Sequence, residues 1–413
     1  MKRFFLAAII LVLIFVSIPL PSSALPEGPV ITAQSALLID AERGQILCQL
    51  NPDERMNVPS ANKIMATIIA IEKADLSSTV TISKEAINTD VPVLSLNAGE
   101  RKKLSDLLYA TLMTSSNDAV NAVAEHVGGS IENFVKLMNE TAAKLGMSDT
   151  HFVNATGLYN EQQYTTASDI AKLIKYAIAN KQFSSIFSAK GRPWSSENGP
   201  AVLINHNNMF YRYGDVDGGQ LTYDINETVN AITSATKNDM KLISIVLHST
   251  EENVYDDTRS LLDFGFNNYM RGLLVAKNTV LKTVTYNSKE YKLMPIEDQY
   301  YIYPIGEDFV SNVTVEVDNN LKPPITKTQI VGTAKYELYD GTVINVYLYP
   351  DRDIISAVNF ISYIKYKLTN NKEIASLLII LVLAELVMAI GKLTGFIKAS
   401  RARKRNKRTQ NSI

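Results

Sequence analysis

The sequence predicts an α+β protein in which an antiparallel sheet with a helical insertion is followed by a small all-β domain. Strand-like apolar runs occur near the start of the chain and return after a long helical stretch, at 35–40, 45–48, 231–234 and 242–247. We therefore expect one sheet to join both ends of the first domain. Beyond residue 269, short alternating runs split by turns replace the helical patterns, and 413 residues are enough for two cores.

The chain begins with the pattern of a secretory signal peptide. Lys2 and Arg3 precede an apolar run from Phe4 to Leu20, and small residues follow as far as Ala24. This order predicts export with cleavage after Ala24, so residues 1–24 are assigned as the signal peptide. An uncleaved N-terminal anchor is the alternative interpretation.

The predicted first domain spans residues 25–270 and contains the helical insertion. Apolar side chains at helical spacing predict four helices, at 60–73, 104–113, 119–127 and 170–179. Gly128 and Gly129 end the third helix, and Ser168 and Asp169 are candidate caps at the start of the fourth. These helices separate the two groups of strands.

Residues 271–352 form the predicted all-β domain. Its alternating runs are at 283–286, 300–303, 313–317 and 330–338. Asp340-Gly341 joins the last of them to 343–347, and an Asp-Gly pair between two such runs is a strong hairpin signal. Few ionisable clusters lie in this region, so we expect a spacer or a module that contacts other proteins.

A second apolar run lies near the end of the chain. After a linker helix at 353–373, residues 374–391 contain one ionisable residue, Glu385, and are barely long enough to cross a bilayer. Residues 392–413 are rich in Lys and Arg, which resist translocation. We expect a single-pass transmembrane helix with the body outside the cell membrane and a cytoplasmic tail. An amphipathic helix lying on the lipid headgroups is the alternative.

Charge and composition argue against several classes of partner. The formal net charge is −1, but basic residues are concentrated at the two ends, so the exported part is acidic and nucleic acid is an unsuitable partner. Cys48 is the single cysteine, which precludes an intramolecular disulfide. The histidines lack metal-ligand spacing, so we expect structural roles for His126, His151, His206 and His248. No metal, nucleotide or other cofactor is implied.

Ser60-Ala61-Asn62-Lys63 is a candidate nucleophile and base at the start of a predicted helix. A separation of three residues places Ser60 and Lys63 on one helical face. The Lys63 amine can take the hydroxyl proton of Ser60 if burial lowers its pKa, and the helix N-terminus adds partial positive charge. Alone, this S-x-x-K pattern is weak, because it arises often by chance.

Ser115-Ser116-Asn117 lies between two predicted helices. A hydroxyl and a side-chain amide two residues apart can face one cleft, where the hydroxyl relays a proton and the amide binds a substrate amide. The alternative is a simple N-cap for the helix that begins near Ala119.

The two motifs and their order resemble the low-molecular-mass penicillin-binding D-alanyl-D-alanine carboxypeptidases, serine peptidases with the motif arrangement of β-lactamases. The resemblance covers nearly the whole chain. It includes Ile39-Asp40-Ala41 with Gly44, Pro59 to Thr67, Ser115 to Ala119, Ala124-Glu125-His126, His151-Phe152 with Asn154 and Gly157-Leu158, Tyr164 to Ala167 with Asp169, Asn205 with Asn207-Asn208, and Arg212-Tyr213 before Val216-Asp217-Gly218. It implies a β-lactamase/transpeptidase-like first domain.

The resemblance also implies roles for the motif residues. Ser60 would be the acylated nucleophile, Lys63 its general base, Ser115 a proton shuttle and Asn117 a ligand of the substrate amide. Partners would be peptidoglycan stem peptides, β-lactams and, through the C-terminal helix, membrane lipid.

One motif departs from the family pattern. A gapless alignment places Gln220-Leu221-Thr222 where the family has Lys-Thr-Gly. Gln220 and Thr222 are then the expected substrate-binding residues, but the lysine cation and the room given by glycine are lost. A charge-assisted hydrogen bond is about twice as strong as a neutral one, so substrate binding would weaken by a few kcal/mol. Ala155-Thr156 and Gln163 also differ from the family, at positions expected to be peripheral.

Three functional hypotheses follow. The first is a working serine carboxypeptidase that releases terminal D-alanine from stem peptides and is acylated by penicillin. The second is a catalytically impaired relative that binds peptidoglycan or organises wall proteins, motivated by Gln220-Leu221-Thr222. The third is a β-lactamase, for which the β domain and anchor would be unusual.

Overall fold

The computed structural model describes residues 26–354 except 92, 197–198, 225–226, 287–288, 307–308 and 319–321, together with 368–369, 373, 376–377 and 379–394. The predicted signal peptide at 1–24, most of the linker helix at 353–373 and most of the basic tail at 392–413 lie outside the described residues. The chain divides into two compact units. The first runs to Gly272 and includes Tyr300–Phe309, and the second contains Leu273–Gln299 and the residues from Val310 onward.

A five-stranded antiparallel sheet forms the frame of the first unit. Its strands are β1 (Ser35–Asp40), β2 (Ile46–Leu50), β7 (Val216–Tyr223), β8 (Val229–Lys237) and β9 (Met240–Ser249). The order is β2-β1-β9-β8-β7, and β1 pairs with β9 along its whole length. The prediction that one sheet joins both ends of this domain is therefore confirmed, and β7 is an edge strand. Two further hairpins pair β3 (Thr79–Thr81) with β4 (Arg101–Lys103) and β5 (Gly191–Ser196) with β6 (Gly199–Ile204).

The helices of the first unit are α1 (Pro59–Lys73), α2 (Leu104–Met113), α3 (Asn117–Gly128), α4 (Ile131–Lys144), α5 (Ala167–Ile178), α6 (Lys181–Phe187), α7 (Met209–Arg212) and α8 (Val254–Asn268). The four helices predicted from apolar spacing are all present. Gly129 follows α3 with φ of 75°, a backbone conformation that glycine adopts readily. The cap expected from Ser168 or Asp169 is wrong, because the Thr166 hydroxyl accepts a hydrogen bond from the Asp169 N–H and caps α5.

Helices cover both faces of the sheet. Alternate residues of β9 point to opposite sides, so Ile243 and Ile245 join the core that contains α1, whereas Leu242 and Val246 join the core that contains α8. α1 is buried along almost its whole length, from Pro59 to Ile71. The first turn of α1 is consequently held at a fixed place beside the sheet.

The described part of the second unit as far as Ile354 contains strands and no helix, as predicted for the all-β domain. Its sheet has the order β11-β12-β16-β15-β14, with strands β11 (Lys282–Tyr286), β12 (Lys289–Met294), β14 (Val310–Val317), β15 (Gly332–Leu338) and β16 (Val343–Pro350). β15 and β16 form the hairpin predicted at Asp340-Gly341, where Gly341 has φ of 84°. The predicted run at 300–303 is different, because it belongs to β13 (Gln299–Pro304), which pairs with β10 (Tyr269–Val275) outside this sheet.

Near the C-terminus, residues 379–394 are helical. Within the described part of the chain, no helix combines the length and the apolar character needed to cross a bilayer. The transmembrane helix at 374–391 remains a prediction, and part of that range lies outside the described residues.

Candidate active site

A cleft opens beside the edge strand β7 and contains residues of both sequence motifs. Its described lining residues are Asn57, Pro59, Lys63, Val91, Val93, Thr114, Ser115, Asn117, Thr156, Gly157, Leu158, Tyr159, His206, Tyr223 and Asp224. Lys63, Ser115 and Asn117 were predicted from sequence, and Pro59 immediately precedes Ser60. The structure therefore brings the two motifs together, since Lys63 bonds to Asn117 although the two residues are 54 positions apart in the chain.

Ser60 lies in the first turn of α1. Its side chain is fully buried, and its Oγ is 2.8 Å from Oγ1 of Thr222 on β7. The N-terminus of a helix carries partial positive charge, which stabilises negative charge on a nearby oxygen. Ser60 thus has the position of a nucleophile, and in this structure the Thr222 side chain covers its hydroxyl.

Lys63 follows Ser60 by three residues and is 1% exposed. Its Nζ donates hydrogen bonds to Oδ1 of Asn117 at 3.0 Å and to the backbone carbonyl of Thr156 at 2.5 Å. Both acceptors are neutral, and burial lowers the pKa of the Lys63 amine to about 7. A large fraction of the amine is therefore uncharged at neutral pH and able to accept a proton.

The connection between α2 and α3 presents two motif residues to the cleft and uses the third as a cap. Ser115 has φ of 57°, a left-handed conformation that is uncommon for residues other than glycine. The Ser116 hydroxyl accepts a hydrogen bond from the Ala119 N–H and also bonds to the Asp118 carboxylate. The N-cap alternative is therefore correct for Ser116, while Ser115 and Asn117 line the cleft.

Asn117 is held at both ends of its side-chain amide. Its Oδ1 accepts from Lys63, and its Nδ2 donates to the carbonyls of Asp90 and Val91 at 3.1 and 3.2 Å. These bonds fix the orientation of the amide and aim its oxygen at the Lys63 amine. The binding of a substrate amide by Asn117 remains a prediction, and a substrate would compete for groups that are already paired.

The loop after α4 reaches the lysine through its backbone. Gly157 has φ of 81°, and a Cβ atom at this position would lie 2.4 Å from the Cα of Pro59. This close contact holds the Thr156 carbonyl against the lysine. The expectation that Thr156 and Gln163 are peripheral is wrong, because the Thr156 carbonyl accepts from Lys63 and the Gln163 side chain accepts at 2.9 Å from Asn62, on the helix that carries Ser60.

Strand β7 contains the three residues that differ from the Lys-Thr-Gly motif of the family, and their side chains lie in different surroundings. Gln220 and Thr222 point to the same side of the strand, and Leu221 packs into the core on the other side. Gln220 is 0% exposed, is not among the described lining residues, and has no hydrogen-bond partner for either side-chain polar atom among the described groups. Thr222 bonds to Ser60, and the substrate-binding roles of Gln220 and Thr222 remain predictions.

His206 is a cleft residue that the sequence analysis did not select. A structural role was expected for His206 because the histidines lack metal-ligand spacing. That criterion detects metal sites but not residues that contact a substrate. The available signal was its place in the polar run Asn205-His206-Asn207-Asn208, between a strand and a helix. Among the described residues, no three His, Cys, Asp or Glu side chains come together as metal ligands would.

Comparison with known protein families identifies the family to which this chain belongs. A family model described as D-alanyl-D-alanine carboxypeptidase matches residues 22–251, more than half of the chain. The chain belongs to this family. A second model, described as the C-terminal domain of penicillin-binding protein 5, matches residues 269–356. The resemblance found in the motifs is therefore confirmed, as is the assignment to serine-type carboxypeptidases.

Individual relatives agree with the family models. The chain is 30% identical to D-alanyl-D-alanine carboxypeptidase DacA of Haemophilus influenzae, over 76% of this chain and 82% of the relative. It is also 30% identical to DacF of Bacillus subtilis, over 81% of this chain and 88% of the relative. The crystal structure of penicillin-binding protein 5 from Haemophilus influenzae superimposes with a TM-score of 0.68 at 28% identity, covering 80% of this chain and 100% of that one.

Proposed function

We propose that this chain removes the terminal D-alanine from peptidoglycan stem peptides through an acyl-enzyme on Ser60, and that β-lactams acylate the same residue. The observation that carries the proposal is the buried Lys63 amine, whose pKa is lowered to about 7 and which lies one helical turn from Ser60 at the cleft. Family membership and the names of the relatives support the same activity.

The first half of the reaction transfers the peptide to the enzyme. The Ser60 oxygen attacks the carbonyl carbon of the penultimate D-alanine while the uncharged Lys63 amine accepts the hydroxyl proton. The C–N bond then breaks, and the proton held by Lys63 passes through the Ser115 hydroxyl to the departing amine of D-alanine, so that both Lys63 and Ser115 end this half in their starting protonation states. Before attack, the Ser60 hydroxyl must exchange its hydrogen bond with Thr222 for the approach to the substrate.

The second half releases the shortened peptide. A water molecule gives a proton to the uncharged Lys63 amine and attacks the ester carbonyl, and Lys63 returns that proton to the Ser60 oxygen as the ester bond breaks. Asn117 and the Thr156 carbonyl hold the amine in place through both halves.

Acylation of the full-length protein by a fluorescent penicillin tests this function directly. We expect labelling of the wild type and release of free D-alanine from a diacetyl-lysyl-D-alanyl-D-alanine peptide. Ser60→Ala is expected to abolish both signals. The proposal is wrong if the folded wild type gives neither label nor D-alanine at high probe concentration.

The hypothesis of a catalytically impaired relative rests on one motif that differs from the family, Gln220-Leu221-Thr222. The relatives reported above are named carboxypeptidases, so they support the catalytic hypothesis instead. The β-lactamase hypothesis is separated by turnover, because a β-lactamase releases hydrolysed penicillin rapidly whereas the proposed enzyme stays labelled.

We also propose that the catalytic unit works outside the cytoplasm, on the outer face of the membrane. The basic and apolar order of residues 1–24 supports export, and the apolar run at 374–391 with the basic tail supports contact with membrane lipid. Protease added to intact cells should digest the catalytic unit, and full protection would contradict this placement.

A further inference from the structure

The cleft has few positive groups available to a substrate carboxylate. In the sequence motif, the lysine that would supply one is replaced by Gln220, which is fully buried. Among the described lining residues, Lys63 and His206 are the two with basic side chains. The Lys63 amine is bonded to Asn117 and Thr156 and is needed in its uncharged form, which leaves His206.

His206 is held in place by the residues on either side of it. Nδ2 of Asn205 donates to the Gly219 carbonyl of β7 at 3.0 Å, and Nδ2 of Asn207 donates to Oγ1 of Thr233 at 2.8 Å. The His206 N–H donates to the Met113 carbonyl at 2.9 Å, two residues before Ser115. The backbone around His206 is thus hydrogen-bonded both to the sheet and to the end of α2, next to the connection that carries Ser115.

The imidazole ring of His206 is accessible from the cleft. Neither ring nitrogen has a hydrogen-bond partner within the described part of the chain, and the residue is exposed while lining the cleft. Asn205 and Asn207, on either side of His206, are 1% and 0% exposed. The exposed imidazole ring is therefore carried by a segment whose neighbouring side chains are buried and hydrogen-bonded. A fixed donor with free nitrogens beside the reaction centre is suited to binding a ligand anion.

We propose that His206 is a specificity-determining residue, whose protonated ring binds the C-terminal carboxylate of the D-alanyl-D-alanine substrate in place of the missing lysine. This inference rests on the proposed function and adds the group that recognises the end of the peptide. It makes substrate affinity dependent on pH, which a lysine in the same role would not do near neutrality.

The direction of the pH dependence follows from the surroundings of the ring. Partial burial lowers the pKa of His206, so the free enzyme holds a neutral ring at neutral pH. A bound carboxylate stabilises the protonated ring, and binding therefore takes up a proton and strengthens as the pH falls. The other titratable groups that line the cleft are Lys63, Tyr159, Tyr223 and Asp224. The Asp224 carboxylate is paired with His248 at 3.2 Å. A further charged residue bonded to this segment is Lys190, immediately before β5. Its carbonyl accepts the Asn205 N–H, and its amine lies over the Phe210 ring.

Binding to full-length Ser60→Ala protein tests the inference without turnover. The probes are diacetyl-lysyl-D-alanyl-D-alanine and its C-terminal amide, titrated by calorimetry at pH 5.5 and pH 8. We expect the free acid to bind about tenfold more tightly at pH 5.5 than at pH 8, because a charge-assisted bond replaces a neutral one. The amide should bind equally at both pH values.

Three variants in the same background complete the experiment. His206→Gln should remove the pH dependence and keep the weak affinity, and His206→Lys should keep tight binding at both pH values. His126→Gln, at a position that is not among the described lining residues, should behave like the parent. A pH dependence that survives in His206→Gln and His206→Lys overturns the inference, and so does an absence of binding at both pH values. If His206→Gln does not fold, the His206→Lys result decides.

The outcome is separable from the proposed function. Release of D-alanine with a pH dependence that ignores position 206 defeats this inference alone. Binding of the free acid that depends on His206, without any label or D-alanine from the wild type, defeats the proposed function alone.

Discussion

The two walls of the cleft differ in how completely their polar groups are paired. On the helical wall, the Lys63 amine and the Asn117 amide are satisfied by neutral partners at hydrogen-bond distance. On the strand wall, Gln220 is buried without a described partner, and Thr222 bonds to the nucleophile itself. The comparison teaches that the polar groups around Lys63 are preorganised by neighbouring residues, whereas β7 holds a buried amide that has no partner among the described groups.

Loss of the Lys63 amine should give the largest effect, because it removes the base from the helical wall. We expect Lys63→Ala to slow penicillin acylation by about 10²- to 10⁴-fold, the range typical of a positioned general base. Stopped-flow labelling measures the rate. Lys73→Ala, at the exposed end of the same helix, is the matched control and should label normally. Rapid labelling of folded Lys63→Ala would show that another group takes the proton.

The pH profile sharpens the same contrast. Since burial lowers the pKa of the Lys63 amine to about 7, the amine is protonated below that pH and free above it. The acylation rate at saturating substrate should therefore rise about tenfold for each unit as pH increases toward 7, then level off above about 8. A rate that is flat between pH 5.5 and 8 would contradict the role of a neutral lysine.

On the strand wall, Thr222→Gly should expose the nucleophile. Without the side chain that covers Ser60, we expect acylation to be about three- to tenfold faster, at a stability loss of about 0.5–1 kcal/mol for glycine in a strand. Thr222→Ser retains the hydroxyl and should change the rate less than twofold. Slower acylation in Thr222→Gly would mean that the Thr222 hydroxyl assists Ser60 and does not shield it.

The smallest expected effect concerns the buried amide of the strand wall. Gln220→Leu removes two polar atoms that have no described partner, so we expect the free energy of unfolding to rise by about 1 kcal/mol in urea denaturation. Leu221→Ala, on the opposite side of the strand, is the contrasting control and should lower it by about 2–5 kcal/mol. A destabilised Gln220→Leu would show that the amide is satisfied in solution.

Local patterns in the sequence predicted four of the eight described helices of the first unit but not, for example, Ile131–Lys144 or Val254–Asn268. The helix at 104–113 and the hairpin at Asp340-Gly341 are where apolar spacing and turn chemistry place them, because both are set by neighbouring residues. The contact between Ser60 and Thr222 was beyond such patterns, since it joins residues 162 positions apart through the packing of α1 on β7. The return of Tyr300–Phe309 to the first unit is likewise a long-range pairing.

The sequence analysis proposed side chains of the candidate site but not the backbone carbonyl that contacts Lys63. Ser60, Lys63, Ser115 and Asn117 could be proposed from sequence because the pattern consists of particular residue types at short spacing, and the structure places Lys63, Ser115 and Asn117 in one cleft. The Thr156 carbonyl carries no such signal, because every residue has a carbonyl and only the loop geometry selects this one. His206 was passed over because histidine was weighed as a metal ligand alone.

The contact between Gly157 and Pro59 has a consequence for how substitutions distribute in this enzyme. A methyl group at position 157 would collide with the start of α1, and relief of that collision moves the neighbouring carbonyl away from the lysine. The amine would then lose an acceptor and its titration would change. A random mutagenesis screen for loss of penicillin labelling without loss of folding should therefore recover replacements at Gly157 alongside those at Ser60, although glycine contributes no reactive atom.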